Sequence, residues 1–538
     1  MRLQPRKAGA HVIRPPQPAC TRLLIALLAA TVVSGVAKAQ EQQAAIGDPL
    51  PAPGEVGAAP APVAAPSPAG PTEPRLIITP SITIGETATD NVRSTPTNRQ
   101  SDLVTTIAPR LFVANQSPRL NGSFDYAPTI LRHIQATDQD SIDQQLLGNG
   151  TLTAIPQFLF LDANASVSDQ SRTGSRGFGN TTEIPSSERT QQIAYGASPY
   201  ARFRFDNVAD SELRYRFNQT NFNGNTGALT SPITGQTLSA LSNATDQEGL
   251  ATITSSPDLS KLTAKALADY DQTTYSDAAL SSRHALGRVD FRYPLTHSLY
   301  ALAGGGYERL TYSQQPQLNT TGPVWSAGAL YEHNDKQFVS LTYGRSEGQN
   351  SFAGNARYAL TPVTSVYGSY SEYRASTQQQ ILQNMLSATP TAQGTAVDPS
   401  TGLPISITNP NLPLQNDITY TKSFQLGAST GLGRNHLSLV ANHVDQTSLL
   451  HLAPSQRSTG GFLTWGHDLS PSATSNVLLG YSTVSPGAAN VVTFSAGLAY
   501  ALGNAYQAGA QYQLVSTSGG NTANVLTNSL TLTLTKTF

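Results

Sequence analysis

The residues best placed to do chemistry are arginines that recur at every second position. Arg202 and Arg204 alternate with Ala201, Phe203 and Phe205, and Arg214 and Arg216 alternate with Leu213, Tyr215 and Phe217. Arg288 and Arg292 alternate in the same way with Val289, Phe291 and Tyr293. In an extended chain successive side chains point to opposite faces, so each run has one oily face and one cationic face. Guanidinium groups gathered in a narrow polar passage would favour anionic solutes or acidic sugars. The plainer reading, which weighs more, pairs these arginines with Asp206, Glu212 and Asp290 across strands. Nothing else reads as a reactive constellation. The patterns H-E-x-x-H and the Walker loop are absent. His133, His284, His297, His333, His436, His443, His451 and His467 are scattered. His436 and His443 lie seven apart on one strand and so fall on opposite faces, which defeats a shared metal. No catalytic residue, cofactor or metal is expected.

The elements that carry these side chains repeat along most of the chain. From Leu76 to Phe538 apolar and polar residues alternate in segments of roughly 10–15 residues, separated by turn residues. Val492, Phe494, Ala496, Leu498 and Tyr500 make one such face, and Tyr506, Ala508, Ala510, Tyr512 and Leu514 another. Short turns are expected at 115–118, 155–157, 206–209, 256–258, 294–297, 334–336, 361–363, 432–435, 470–472 and 503–504. Longer polar connections lie between them at 89–101, 170–187, 222–238, 314–321 and 376–415. Short and long connections alternate, as in a membrane barrel with tight turns on one side and loops on the other. The count gives about 22 strands, within a range of about 16 to 22, with Gly148, Asn149 and Gly150 either a kink or a turn.

Composition points the same way. Charged residues make up 12% of the chain, about half the share in soluble domains. Such a chain suits a wall with lipid on one side and a polar lumen on the other. No stretch approaches 18 consecutive apolar residues, so a spanning helix is excluded and only a closed barrel could satisfy every backbone group in lipid. A net charge of −1 argues against a nucleic-acid partner. The expected fold is all-β: a transmembrane antiparallel up-and-down β-barrel over 76–538.

The N-terminus reads as an export signal over 1–39. Arg2, Arg6, Lys7, Arg14 and Arg22 precede an apolar core at 23–36, and Ala37-Lys38-Ala39 gives a cleavage site ending at Ala37 and Ala39. The only cysteine, Cys20, would leave with it. Residues 40–75, rich in Pro and Ala, read as a disordered, solvated periplasmic linker.

Two stretches resemble known proteins. In 525–538, VLTNSLTLTLTKTF, one face carries Leu530, Leu532, Leu534 and Phe538 and the other a column of hydroxyls. It resembles the closing strand of bacterial outer-membrane barrels, which implies that Leu530, Leu532, Leu534 and Phe538 form an assembly signal for the barrel-assembly machinery. Lys536 departs from that pattern, and its stem can lie along lipid while the ammonium reaches the headgroups. The second stretch is ITPSITI at 78–84, ETATDNV at 86–92 and DLVTTIAPRL at 102–111. It resembles the opening of a family of outer-membrane β-barrel porins, some of them associated with exopolysaccharide systems. The resemblance implies the outer membrane of a Gram-negative bacterium, with lipid and lipopolysaccharide as surroundings.

The expected function is a porin-like channel for small hydrophilic solutes. Two alternatives stand beside it: a conduit for exopolysaccharide export, and a structural or adhesive barrel with a plugged lumen. The last arises because 376–415 is long enough to fold inward. The linker is too short and proline-rich for the plug of a TonB-dependent transporter, and the barrel takes too much of the chain for an autotransporter.

Overall fold

The computed structural model describes residues 75–538, apart from 175–183, 231–236, 257–260, 277–280, 314, 335–336, 391–395, 399–402, 405–411, 451–453, 487–488, 504 and 520–523. The export signal with Ala37 and Ala39, and the linker up to Pro74, lie outside the described residues.

One sheet of 24 segments forms 22 strands, because two of the strands are each broken by two residues. They run β1 (Arg75–Thr89), β2 (Asp102–Gln116), β3 (Leu120–Tyr126 with Thr129–His133), β4 (Ser141–Asp143 with Leu146–Ile155) and β5 (Leu159–Ser171). Next come β6 (Arg189–Phe205), β7 (Ala209–Gly224), β8 (Ala244–Ser255), β9 (Thr263–Tyr275), β10 (Ser281–Pro294) and β11 (Leu299–Tyr312). Then follow β12 (Thr320–Asn334), β13 (Gln337–Ser346), β14 (Gln349–Thr361), β15 (Thr364–Ser376) and β16 (Ile418–Leu432). The last are β17 (Asn435–Ser448), β18 (Gln456–Ser470), β19 (Ala473–Ser485), β20 (Ala489–Leu502), β21 (Tyr506–Ser518) and β22 (Val525–Thr537). Each strand pairs antiparallel with the next, and β22 pairs with β1, so the sheet is a closed transmembrane up-and-down barrel.

Period-two alternation explains the wall. Large apolar side chains such as Leu213, Tyr215, Leu498 and Leu532 stand exposed on the outer face, where lipid would cover them. Their polar neighbours turn inward: Thr220, Thr273, Ser458, Ser482 and Thr493 are buried. Exposed aromatic rings gather near both strand ends, with Phe203, Tyr293, Tyr331, Tyr358 and Tyr500 at the turn side. Tyr270, Tyr307, Trp325, Tyr343 and Tyr481 lie towards the loop side. Two girdles of this kind mark the interfaces of an apolar band.

The turns expected to be short all fall at one end of the barrel. At the other end the connections are mostly longer, with two short exceptions: residues 486–488 between β19 and β20, and the pair between β13 and β14. Glu347 and Gly348 alone join β13 to β14, with φ of 53° and 75°. Two central residues with positive φ match the strand twist in a two-residue hairpin. Of the two readings of Gly148, Asn149 and Gly150, the structure selects a place inside β4. The absence of a side chain lets neighbouring backbones approach: a Cβ on Gly122 would sit 2.4 Å from the Asn149 carbonyl oxygen.

Closure depends on the seam between β1 and β22, which runs from Ser81 opposite Thr537 to Thr89 opposite Ser529. Inward hydroxyls cross it, Thr83 to Thr535 at 2.8 Å and Thr87 to Thr531 at 2.9 Å. Past the last ladder pair, Asp90 accepts from the Asn528 backbone N–H and from its side-chain amide, both at 2.7 Å. Asn91, fully buried, donates to the carbonyls of Leu526 at 3.1 Å and Thr95 at 2.8 Å. The Thr89-Asp90-Asn91 motif is thus a clasp on the seam. Replacing Asp90 and Asn91 together by alanine should cost about 1–3 kcal/mol, as unpaired buried polar groups do. Urea unfolding from reconstituted vesicles would read the loss, and an unshifted midpoint would refute the clasp.

Candidate functional site: the barrel interior

The sequence-predicted arginines share the inward parity. On β7, Leu213 is 58% exposed, whereas the neighbouring Arg214 side chain is 12% exposed. Arg202 and Arg204 lie near the turn-side end of β6, directly opposite Glu212 and Asp210 on β7, and bond them at 3.0 and 2.9 Å. Arg214 reaches Asp162 on β5 at 2.7 Å and Glu212 at 2.8 Å. Arg216 meets Glu248 on β8 at 2.7 Å. Arg288 bonds Asp290 at 2.6 Å and the Ser326 hydroxyl at 2.7 Å, and Arg292 bonds Glu332 at 2.7 Å. Aromatic faces complete the cluster: Phe160 stacks on Tyr200 with centroids 5.0 Å apart, and the Arg214 guanidinium carbon lies 3.8 Å from the Tyr200 centroid.

Each of the six arginines therefore holds a carboxylate, drawn from Asp162, Asp210, Glu212, Glu248, Asp290 and Glu332. Glu212 is a cross-strand partner of Arg202 as expected, whereas Asp290 pairs with Arg288 along its own strand rather than across strands. Asp206 is not placed as one: it sits beyond the ladder in the β6–β7 turn, with φ of 45°. Asp162, Glu248 and Glu332 come from strands whose register the sequence alone does not show. Gly304 makes room for this network, since a Cβ there would fall 2.1 Å from an Asp290 oxygen and 2.7 Å from an Arg288 nitrogen. A fixed positive ring would demand uncompensated guanidinium groups. Here the charges on this part of the wall balance.

The connection from β15 to β16 does turn inward. It begins with α1 (Thr377–Ser387), capped by Ser376: the hydroxyl accepts from Gln379 N–H, and the Gln379 side chain accepts from Ser376 N–H. This reciprocal capping satisfies two otherwise orphaned donors. Gln378, Ile381, Leu382 and Met385 form the buried face. Ile381, Leu382 and Met385 pack with Ala194 of β6 and Phe222 of β7, strands far around the wall from β15. Side-chain amides tie the helix down elsewhere. Gln378 donates to the Ser242 carbonyl at 2.7 Å, Gln379 to Thr273 of β9 at 3.3 Å, and Gln380 to Thr419 of β16 at 3.1 Å. Asn149 of β4 donates to the Ala388 carbonyl at 3.1 Å. Nearby, Ala244, Tyr275, Leu310, Tyr312, Leu318 and Ile418 make a second apolar cluster at the loop-side ends of β8, β9, β11 and β16. The helix crosses the loop-side mouth.

Leu530, Leu532, Leu534 and Phe538 lie on the outer face of β22 and its end, all exposed. The Lys536 ammonium lies 4.5 Å from the Phe538 ring centroid and 5.5 Å from that of Tyr506. His436 and His443 stand apart, the first 3.5 Å from Asp468 and the second 2.6 Å from Thr459. Among the described residues no group of His, Cys, Asp and Glu could hold a metal ion.

No protein-family description matches this sequence, and no curated protein does. Solved structures with a similar course include the siderophore receptor PirA of Acinetobacter baumannii, at 8% identity and a TM-score of 0.46, covering 86% of this chain and 81% of that one. The FrpB iron transporter of Neisseria meningitidis is similar at 10% identity and a TM-score of 0.45, covering 86% and 82%. Likeness at this level says nothing about the activity of this chain. The barrel rests on its own strand ladder.

The balance within this arginine network has a measurable consequence. Single-channel recording of the wild type should show weak preference between anions and cations. Arg214→Ala with Arg216→Ala should shift it towards cations, because Asp162, Glu212 and Glu248 lose compensation. Strong anion preference in the wild type, abolished by the same pair, would instead favour the cationic constriction.

Proposed function

We propose that the protein resides in the outer membrane of a Gram-negative bacterium and acts as a porin-like channel for small hydrophilic solutes, narrowed at its loop-side mouth by α1. One observation carries the reading: a closed 22-strand wall, oily outside, encloses an interior of hydroxyls, amides and paired charges. Such an interior offers water and small polar solutes hydrogen bonds along the wall without trapping a single ion. The channel reading makes the protein a transporter rather than an enzyme. Its partners are outer-membrane lipid and lipopolysaccharide, with the barrel-assembly machinery during insertion.

A second reading, a scaffold with a plugged lumen, is favoured by the packing of Ile381, Leu382 and Met385 against β6 and β7. Export of polysaccharide draws support only from the resemblance of the opening strands to porins, and it needs a wider passage than the crossed mouth offers.

Conductance in planar bilayers separates these readings. The wild type should conduct in small steps. Ile381→Asp with Met385→Asp should raise the unit conductance several-fold by loosening the helix, since burying an uncompensated carboxylate is unfavourable by roughly several kcal/mol. Liposome swelling with sugars of graded size should show a matching rise in the size limit. Absence of conductance in both proteins would remove the channel reading and leave the plugged scaffold.

A further inference from the structure

The outer face of β10–β13 differs from the rest of the wall. Arg283 on β10, Arg309 on β11 and Arg345 on β13 are exposed and share the parity of lipid-facing residues. Arg309 is two residues from Tyr307, which is 58% exposed, and Arg345 is two residues from Tyr343, which is 46% exposed. Arg283 lies opposite Thr311, so it sits diagonally across from Arg309 on the neighbouring strand. Neighbours in that relation are about 7–8 Å apart, close enough to grip one anion. Arg283 and Arg309 stand on the loop side of Tyr307, and Arg345 stands on the loop side of Tyr343 and directly opposite Trp325, so the three flank the aromatic girdle at its loop-side edge.

None of the three guanidinium groups has a carboxylate partner among the described residues. This contrasts with the six interior arginines named above, each of which is paired with a carboxylate. The outward parity of β10–β13 contains no Asp or Glu at all, because Asp290, Glu308 and Glu332 of these strands face inward. Below the arginines the wall is built of small residues, including Ala285, Gly287, Ala303, Gly305 and Ala327. A Cβ placed on Gly287 or Gly305 would meet nothing within 4 Å, so the surface there is open.

We infer that this face seats a phosphorylated lipid of the outer leaflet, its phosphates on Arg283, Arg309 and Arg345 and its acyl chains on the Ala/Gly surface below. The inference rests on the outer-membrane reading above. Charge complementarity selects this occupant over a second copy of the chain. A two-fold dimer brings the same patch against itself, which would set three unpaired arginines against three more. Guanidinium groups are suited to bidentate phosphate recognition, and their position at the loop-side edge of the aromatic girdle is the level of lipid headgroups.

The test uses the full-length protein purified in a neutral detergent, with bis-phosphorylated lipid A as the probe and phosphatidylcholine as the zwitterionic control. Native mass spectrometry should show lipid A retained by the wild type and phosphatidylcholine retained weakly. The triple variant Arg283→Gln, Arg309→Gln, Arg345→Gln should bind lipid A about tenfold more weakly or worse. Gly305→Leu, which fills the open surface while keeping the charges, should also weaken it. Raising salt should displace lipid A from the wild type, a readout that needs no variant. Undiminished lipid A binding by the triple variant, equal retention of phosphatidylcholine, or insensitivity to salt would each overturn the inference. So would a dimer that Gly305→Leu dissolves. Planar-bilayer conductance of the same samples reports separately on the channel, so loss of the lipid site and loss of the channel reading give different results.

Discussion

Everything in this protein depends on a rule about backbone groups in oil. Within the apolar band no water is present to satisfy an N–H or a carbonyl, so each must find its partner along the ladder. A strand at a sheet edge would leave a whole row unsatisfied. Joining β22 to β1 removes the edge, and side-chain contacts reinforce that joint along its length. Two threonine–threonine bonds cross the seam, and Phe538 N–H donates to the Pro80 carbonyl at its turn-side end. The Asp90–Asn528 and Asn91–Leu526 contacts finish the loop-side end. The two strands are the most distant in sequence, so their meeting carries the largest loop-closure entropy. Specific side-chain contacts offset that cost where plain alternation would allow the register to slip.

The same geometry decides how charge is used. Facing inward, an arginine lies in a confined space and needs a partner, and every one of the six named interior arginines has one. Facing outward at the loop-side edge of the aromatic girdle, Arg283, Arg309 and Arg345 are left bare. A bare guanidinium at a lipid headgroup is well placed, whereas the same group inside the wall would carry a desolvation penalty. One residue type thus serves two ends, and parity alone assigns which.

Much of this could be read directly from the chain because a period of two is local information. The oily face of 525–538, the tight turns at one end and the inward parity of Arg214 need no knowledge of distant residues. The cross-strand pair Arg202–Glu212 was legible for the same reason, since the β6–β7 turn is short and fixes its own register. Asp162 and Glu332 were not, because their positions depend on the register of strands beyond the adjoining hairpin. The Glu347–Gly348 turn escaped because a rule of alternating short and long connections overrode two residues that favour a hairpin. The helix α1 left a signal too: Ser376 and Gln379 at capping-box spacing, then Ile381, Leu382 and Met385 on one face. It was hidden inside a long polar connection where a helix has no periodic neighbours to announce it.

That helix is built differently from the wall it crosses. The wall is a continuous ladder in which neighbouring strands are locked by paired backbone bonds. By contrast, α1 is held by three apolar side chains and a handful of glutamine amides reaching to β9, β16 and the segment after β7. Neutral amide contacts of this kind each contribute about 1 kcal/mol net. An eleven-residue helix is marginal on its own, so most of its order is borrowed from the surfaces it touches. Loosening it would expose Ile381, Leu382 and Met385 with their contacts on β6 and β7, but break no bond of the ladder. The barrel and its occlusion are therefore separable in energy, which is the physical condition for a mouth that can open while the membrane seal stays intact.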